Sequence, residues 1–275
     1  MAVPCTNDEI YPMSSAANLS ITQSGAVARI TLTQPEIRNA FSDEVIAEIT
    51  AAFTDVGARA DVRAVVLAAE GPAFCAGANL NWMRRMADYS RDENVADAGK
   101  LAEMLRVIYT CPKPTIARVQ GDVYAGGMGL VAACDMAVAV ESAGFCLSEV
   151  KLGLIPATIG PYVARAMGAR AAHRYFLTGE RFSAAQALRI GFVHEVVDFE
   201  LLDETVDALT KTLCANGPAA VAACKTLVQQ VAERDIDAAL IGTTVQTIAD
   251  IRASDEGREG VQSFLHKRKP AWLAG

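Results

Sequence analysis

The chain has 275 residues, 52% hydrophobic and 21% charged, with a mean hydropathy of +0.22; this excludes disorder as its main state and allows one large domain or two small ones. Lys and Arg total 25 against 32 Asp and Glu, and the formal charge of −7 argues against a nucleic-acid partner. Seven cysteines without a CxxC, and His173, His194 and His266 without metal-ligand spacing, indicate buried thiols in a reducing compartment and no metal site.

The first cationic residue is Arg29, so the N-terminus lacks the charged region of a signal peptide, and no apolar run approaches the roughly 18 residues of a membrane span. A soluble cytoplasmic protein with no membrane contact is expected. Residues 1–17, with Pro4, Asn7, Pro12, Ser14 and Ser15, read as a mobile extension. Leu19–Ser24 and Ala26–Thr33 flank Gly25 and predict a hairpin, with Ala28, Ile30 and Leu32 on one face of its second strand. Ser42 is a good N-cap for a helix to about Ala58, with Asp43 and Glu44 in its first turn and Val45, Ile49, Ala52 and Val56 as its apolar stripe.

Arg63–Ala69 is a short apolar run ended by Gly71-Pro72, hence a buried strand. A polar helical stretch, Asp92–Tyr109, precedes the strands Thr115–Val119 and Asp135–Val140, so strand, strand, helix recurs. Ser183-Ala184-Ala185-Gln186 fits a capping box, and His194–Val197 is the last predicted strand. Beyond it Leu202, Val206, Leu209 and Leu213 keep helical spacing, and Gly217-Pro218 ends one helix and starts another. The pattern divides the chain into an extension (1–17), a mixed α/β core (18–200) and a helical C-terminal region (201–275), the last too small for much core of its own.

Four segments carry possible chemistry. Phe74–Leu80 places small residues after a strand, which suits either close ligand approach to backbone N–H groups or a tight turn. Gly121–Leu130 follows a strand and opens a short apolar helix, whose N-terminus offers unpaired N–H groups and positive potential to a developing negative charge. Inside it Gly127–Ala132 matches the G-x-G-x-x-A dinucleotide fingerprint, with Glu149 as ribose acid. The helix there has only about eight residues before the next strand, too short for the crossover that fold needs. Glu149 stands in an apolar stretch, either as a carboxylic acid/base with raised pKa or paired with Lys151. Lys267-Arg268-Lys269 is the densest positive cluster, either a solvated helix end or a phosphate contact.

Together these segments resemble the enoyl-CoA hydratase/isomerase (crotonase) superfamily over roughly residues 19–270. Pro35–Ala40 looks like that family's early CoA-contacting loop, Phe74–Leu80 its F-x-A-G-x-D-L element, Gly121–Leu130 its N-G-x-x-x-G-G-G segment, and Leu177–Ala184 its L-T-G-x-x-x-x-A signature. The resemblance implies an α/β spiral of ββα units with a helical trimerisation region, a homo-trimer or hexamer, an acyl-CoA thioester substrate, and no metal or separate cofactor. It implies Ala78 and Gly126 as oxyanion donors and Glu149 as catalytic acid/base. Ile37, Arg38, Ala76, Asn79, Leu80, Gly127 and Lys267 are implied as substrate or CoA contacts. Asn79 stands where the family usually has Asp, and Gln120 where it has Asn. The first of two hydratase glutamates falls on Gly129, which is expected to leave room for an acyl chain. One glutamate suffices for reversible hydration of a 2-enoyl-CoA, the activity expected here; the alternatives are a double-bond shift by the same glutamate or mere CoA binding, which an intact Glu149 disfavours. The text from Glu149 to Phe182 is most similar to a bacterial methylglutaconyl-CoA or isohexenylglutaconyl-CoA hydratase branch, whose substrates are branched and carboxylated.

Overall fold

The computed structural model describes the backbone of residues 11–15 and all of residues 17–273. Its strands are β1 (Tyr11–Ser15), β2 (Leu19–Ser24), β3 (Val27–Leu32), β4 (Ala64–Ala69), β5 (Ala73–Cys75), β6 (Thr115–Val119), β7 (Asp122–Tyr124), β8 (Met136–Val140), β9 (Gly144–Cys146), β10 (Phe182–Ser183) and β11 (Glu195–Val197). Its helices are α1 (Asp43–Ala58), α2 (Leu80–Ala87), α3 (Arg91–Tyr109), α4 (Gly126–Ala133), α5 (Gly160–Thr178), α6 (Ala184–Arg189), α7 (Leu202–Ala215), α8 (Pro218–Val231), α9 (Ala238–Ala253) and α10 (Asp255–Leu265).

The chain winds as a spiral between two sheets. A seven-stranded sheet has the order β1-β2-β3-β4-β6-β8-β11, and a four-stranded sheet the order β10-β9-β7-β5. In the pairs β4/β5, β6/β7 and β8/β9 the first strand joins the large sheet and the second the small one, and a helix follows each pair. This is the α/β spiral of ββα units that the family resemblance implied. The β2–β3 hairpin is antiparallel, and β3, β4, β6, β8 and β11 run parallel. All six residues of β4 are buried, as a parallel strand covered on both faces requires. Ser42 Oγ accepts from Val45 N–H and starts α1, whose Val45, Ile49, Ala52 and Val56 are buried on the sheet.

Part of the segment read as a mobile extension is a strand: β1 pairs antiparallel with β2, while residues 1–10 and 16 lie outside the described residues. An edge strand needs only backbone hydrogen bonds, which hydropathy does not reveal. Cys75, Cys111, Cys134, Cys146 and Cys224 are free thiols. Among the described residues, no group of three His, Cys, Asp or Glu converges as metal ligands, and no helix is long and apolar enough to cross a membrane.

Past residue 200, α7 still belongs to the core. Leu202 and Val206 are buried, and Asp203 receives both Arg29 of β3 (3.1 Å) and Arg118 of β6 (2.6 Å). One ion pair fastens α8: Lys225 Nζ lies 2.8 Å from Asp135 Oδ2, which also accepts from Thr115 N–H (2.7 Å) and Thr115 Oγ1 (3.0 Å). Helix α9 leaves Ile241, Val245 and Ile248 exposed on one face, and α10 leaves Val261, Phe264 and Leu265 exposed. Because the Lys225 side chain is only 9% exposed, Lys225→Met keeps its apolar stem but leaves Asp135 uncompensated. We expect a loss of about 3 kcal/mol, read as a fall in Tm of roughly 5–10 °C. An unchanged Tm would show that the pair does not fasten α8.

Candidate active site

The small sheet assembles the site. Strands β5, β7 and β9 are parallel neighbours, with Ala73 opposite Asp122, Val123 opposite Phe145 and Tyr124 opposite Cys146. Their C-terminal ends lie side by side, and Ala78, Gly126 and Glu149 each follow one of these ends within three residues. Residues far apart in sequence thus share one edge, where parallel α/β sheets place their ligands. The first two loops touch. A Cβ on Gly77 would lie 3.0 Å from Ala125 Cβ, and one on Gly127 would lie 2.8 Å from Cys75 Cβ.

The Ala78 loop is held by the segment 38–41, of which the sequence reading singled out Arg38 but not Phe41. Phe41 N–H donates to Gly77 O (2.7 Å), Asn79 N–H donates to Phe41 O (2.7 Å), and Ala76 N–H donates to Arg38 O (3.0 Å). In this parallel bridge between Phe41 and Ala78 the Ala78 N–H points away from Phe41, and it has no acceptor among the described residues. Gly77 makes the turn at φ +89°, where a side chain would be strained. Buried Asn39 supports the same corner, donating to Glu70 O and Ala73 O at 2.9 Å each. Gln120 Nε2 also donates to Ala73 O (3.1 Å). Asn79 spends its side-chain oxygen on the N-terminus of α2, accepting from Asn81 N–H (2.8 Å) and Trp82 N–H (3.4 Å). Burial pushes the Cys75 thiol up to about 12, so it is no nucleophile.

The second loop enters α4 through a strained residue. Ala125 has φ 46° and ψ −120°, outside the left-handed region open to alanine, at the position where the first of the family's three glycines falls. Its N–H donates to Cys146 O (2.9 Å), and its C=O accepts from Met128 N–H (2.9 Å). In a trans peptide the next N–H points opposite that carbonyl, so the Gly126 N–H projects out of the helix N-terminus, at its positive pole. No side chain caps this end.

Glu149 opens a 3-10 turn, Glu149–Leu152, directly after β9. Its Oε2 is buried with no hydrogen-bond partner, and Glu149 makes no ion pair among the described residues, so the pairing with Lys151 is not formed. Burial raises its pKa, opposed only by its own backbone N–H. A carboxyl so placed can accept and return a proton near neutral pH.

Gly129 does not leave room for an acyl chain. A Cβ there would lie 2.4 Å from Ile159 Cγ2, 2.9 Å from Ile159 Cβ and 3.3 Å from Leu105 Cδ2. Ile159 is 1% exposed, so core packing fills the space. Ile37 and Arg38 lie on the surface beside the Ala78 loop, Ala76 is half-buried and Leu80 is exposed. Lys267 is not brought to these groups within the chain: it follows α10, which packs mainly on α9 and α8. Its neighbour Arg268 is engaged by Glu259 (2.5 and 2.7 Å). A concavity of ≈ 440 Å³ lined by Tyr109, Tyr162, Arg165, His194 and Lys225 includes none of the site residues. The site is therefore recognised by its chemistry, not by the size of a cavity.

The description "Enoyl-CoA hydratase/isomerase" matches residues 22–274. A "Putative enoyl-CoA hydratase" of Thermus thermophilus is 34% identical over 253 residues, 90% of this chain and 98% of that protein. "Enoyl-CoA hydratase ACTT6" of Alternaria alternata is 31% identical, over 92% of this chain and 83% of its own length. The crystal structure of an enoyl-CoA hydratase from Shewanella pealeana superposes with a TM-score of 0.90 at 42% identity, covering 93% of this chain and 96% of that one. Pseudomonas aeruginosa AtuE gives 0.88 at 33% identity, covering 93% and 99%. With its spiral, its adjoining loops and these matches over nearly its whole length, the chain belongs to the enoyl-CoA hydratase/isomerase family.

Proposed function

We propose that the protein is an acyl-CoA lyase that reversibly adds water to a 2-enoyl-CoA thioester. The observation that carries this is the buried, unpartnered Oε2 of Glu149 on the edge that also presents the unpaired Ala78 and Gly126 N–H groups. In the addition, the Glu149 carboxylate takes a proton from water. The oxygen bonds to the β-carbon, and the electrons of the double bond move onto the thioester oxygen as an enolate. The Ala78 and Gly126 N–H groups hold that charge, a contribution of about 3–4 kcal/mol per donor in comparable sites. Glu149 then returns its proton to the α-carbon, and one water has been added. The chemistry needs no metal and no cofactor beyond the coenzyme A of the substrate.

A second reading rests on Gly129. With Ile159 packed against it, this position supplies no second acid. Glu149 alone can also take a proton from C2 of a 3-enoyl-CoA and return it to C4, an isomerisation that adds no water. Incubating the protein with a panel of enoyl-CoA thioesters separates the two: a mass gain of one water means hydratase, and unchanged mass with a moved double bond means isomerase. The likeness around Glu149 makes a branched, carboxylated chain such as methylglutaconyl the first acyl group to try. Turnover of any of them excludes a non-catalytic CoA-binding protein. We also infer a homo-trimer or hexamer, in which the exposed apolar faces of α9 and α10 are covered by further copies.

Three outcomes are expected. Glu149→Gln should lower kcat by at least about 10²-fold while changing CoA affinity little. The acid limb of the parent's kcat/KM should lie above the usual carboxylate range, because Glu149 must be ionised to act as base and burial raises its pKa in the free protein. A raised folded-state pKa means that stability falls as pH rises from the ordinary carboxylate value through the raised one. Glu149→Gln should therefore have a higher Tm than the parent at pH 7, with the gap closing below the ordinary carboxylate value. Near-normal turnover would remove Glu149 from the mechanism, and an unchanged Tm gap across pH would remove the account of its burial.

Gly129→Glu should cost several kcal/mol, from overpacking and a buried carboxylate, and should not raise hydration of short substrates. Adding Ile159→Ala should recover part of the lost Tm; no recovery would mean that Ile159 is not the obstacle. Lys267→Ala should raise KM for CoA thioesters, blunt its salt dependence and leave kcat and pantetheine thioesters unaffected, since pantetheine lacks the nucleotide phosphates. An equal penalty on both substrate types would remove Lys267 from the CoA contacts.

A further inference from the structure

The two unpaired N–H groups stand on separate loops, and one residue outside both loops touches each. Phe41 grips the first loop through its backbone, by the two 2.7 Å bonds to Gly77 O and from Asn79 N–H. It meets the second loop through its ring. A Cβ on Gly126 would lie 2.7 Å from Phe41 Cε2 and 3.0 Å from Cδ2, so Gly126 Cα rests directly on the ring edge. The ring is 1% exposed and belongs to the main core. The loops also meet at Gly77 against Ala125 Cβ and at Gly127 against Cys75, above the pairing of β5 with β7; these contacts set the roots of the loops, whereas Phe41 bears on Gly126 itself.

We propose that Phe41 is a positioning residue that fixes the Gly126 N–H relative to the Ala78 N–H; this rests on the reading of those two groups as oxyanion donors. A donor must lie within about 2.7–3.1 Å of the charged oxygen to be effective. Strand pairing and the contacts at Gly77 and Gly127 bring the two loops together, and meeting that tolerance also requires the Gly126 peptide itself to be held. The Phe41 backbone bonds survive any substitution of its side chain. The ring contact does not, so a smaller side chain frees the Gly126 loop to settle inward while the Ala78 loop stays in place. The strained Ala125 adds to this, because a loop held at unfavourable φ and ψ relaxes when its support is removed.

The test compares Phe41→Leu and Phe41→Ala with Phe53→Leu and Phe53→Ala. Phe53 is equally buried, in α1, and touches neither loop in any contact described above. Tm, kcat and KM are measured for each. Cinnamoyl-CoA is bound to each variant in a Glu149→Gln background, where proton transfer is blocked, and its absorbance is recorded. Donors on the thioester oxygen polarise the conjugated chain and shift its band to longer wavelength. We expect Phe41→Leu to lose three- to fivefold in kcat and Phe41→Ala at least tenfold, with KM within twofold and the red shift shrinking in the same order. The Phe53 variants should lose Tm to a similar extent but keep kcat within twofold and the full red shift. If Phe41→Ala does not fold, Phe41→Leu carries the comparison. Full red shift and kcat within twofold in the Phe41 variants overturn the proposal, as does an equal kcat loss in the Phe53 variants. Absence of any red shift with Phe41 intact overturns the oxyanion reading itself.

Discussion

Parallel pairing of three very short strands, β5, β7 and β9, is the constraint on which the rest of the molecule depends. A parallel neighbour cannot be reached by a tight turn, so each passage among these three strands leaves the sheet, forms a helix and a strand of the large sheet, and returns. That route builds the spiral. It also brings β5, β7 and β9 to their ends at the same edge, so each turn delivers one loop to one place. The large sheet, with β4 wholly buried, supplies the rigidity that three-residue strands cannot supply for themselves.

What each loop delivers is a group that folding leaves without a partner. Protein interiors pair nearly all buried polar atoms, and an unpaired one costs free energy. Here the Ala78 N–H faces away from its bridge, the Gly126 N–H projects from an uncapped helix, and Glu149 Oε2 is buried without a donor. Glycine and strain make this possible: Gly77 at positive φ turns one loop, and Ala125 in an unfavourable conformation flips the peptide that aims the other. Three such departures at one edge are a signature of a site in which the ligand completes the hydrogen bonding.

The parts of the fold legible in sequence were those with long or punctuated patterns. The β2–β3 hairpin, α1 with its Ser42 cap, β4, β6 and β8 follow from periodicity and turn residues. Strands β5, β7 and β9 have three residues each, too few for any period, and α5 is interrupted by Gly168 at φ 78° and ψ 150°. In the site, the glycine-rich segments marked two loops for close backbone approach, the family resemblance singled out Ala78 and Gly126 within them, and an acid in an apolar run drew attention to Glu149. Phe41 and Ile159 gave no such signal: each is an apolar residue among many, and its role exists only through a contact with a glycine far away in sequence. Gly129 shows the same limit, because an absent side chain is legible while the neighbour that fills its space is not.

Charge gives the last constraint. A chain of net −7 repels a phosphate-bearing thioester at long range, so local cations must reverse the field where the coenzyme enters. Many of the arginines cannot do so, because carboxylates already hold them: Arg85 with Asp43, Arg118 with Asp203, Arg174 with Glu180, Arg181 with Asp122 and Arg268 with Glu259. Arg38, Lys151 and Lys267 make no ion pair among the described residues. Arg38 borders the Ala78 loop and Lys151 follows Glu149, whereas Lys267 stands at the end of α10, away from that edge. A protomer thus carries free cations both beside its own site and on the helical region whose apolar face is uncovered. In the homo-oligomer proposed above, burial of that face against another copy would be the physical route by which Lys267 reaches a site that its own chain does not bring it to.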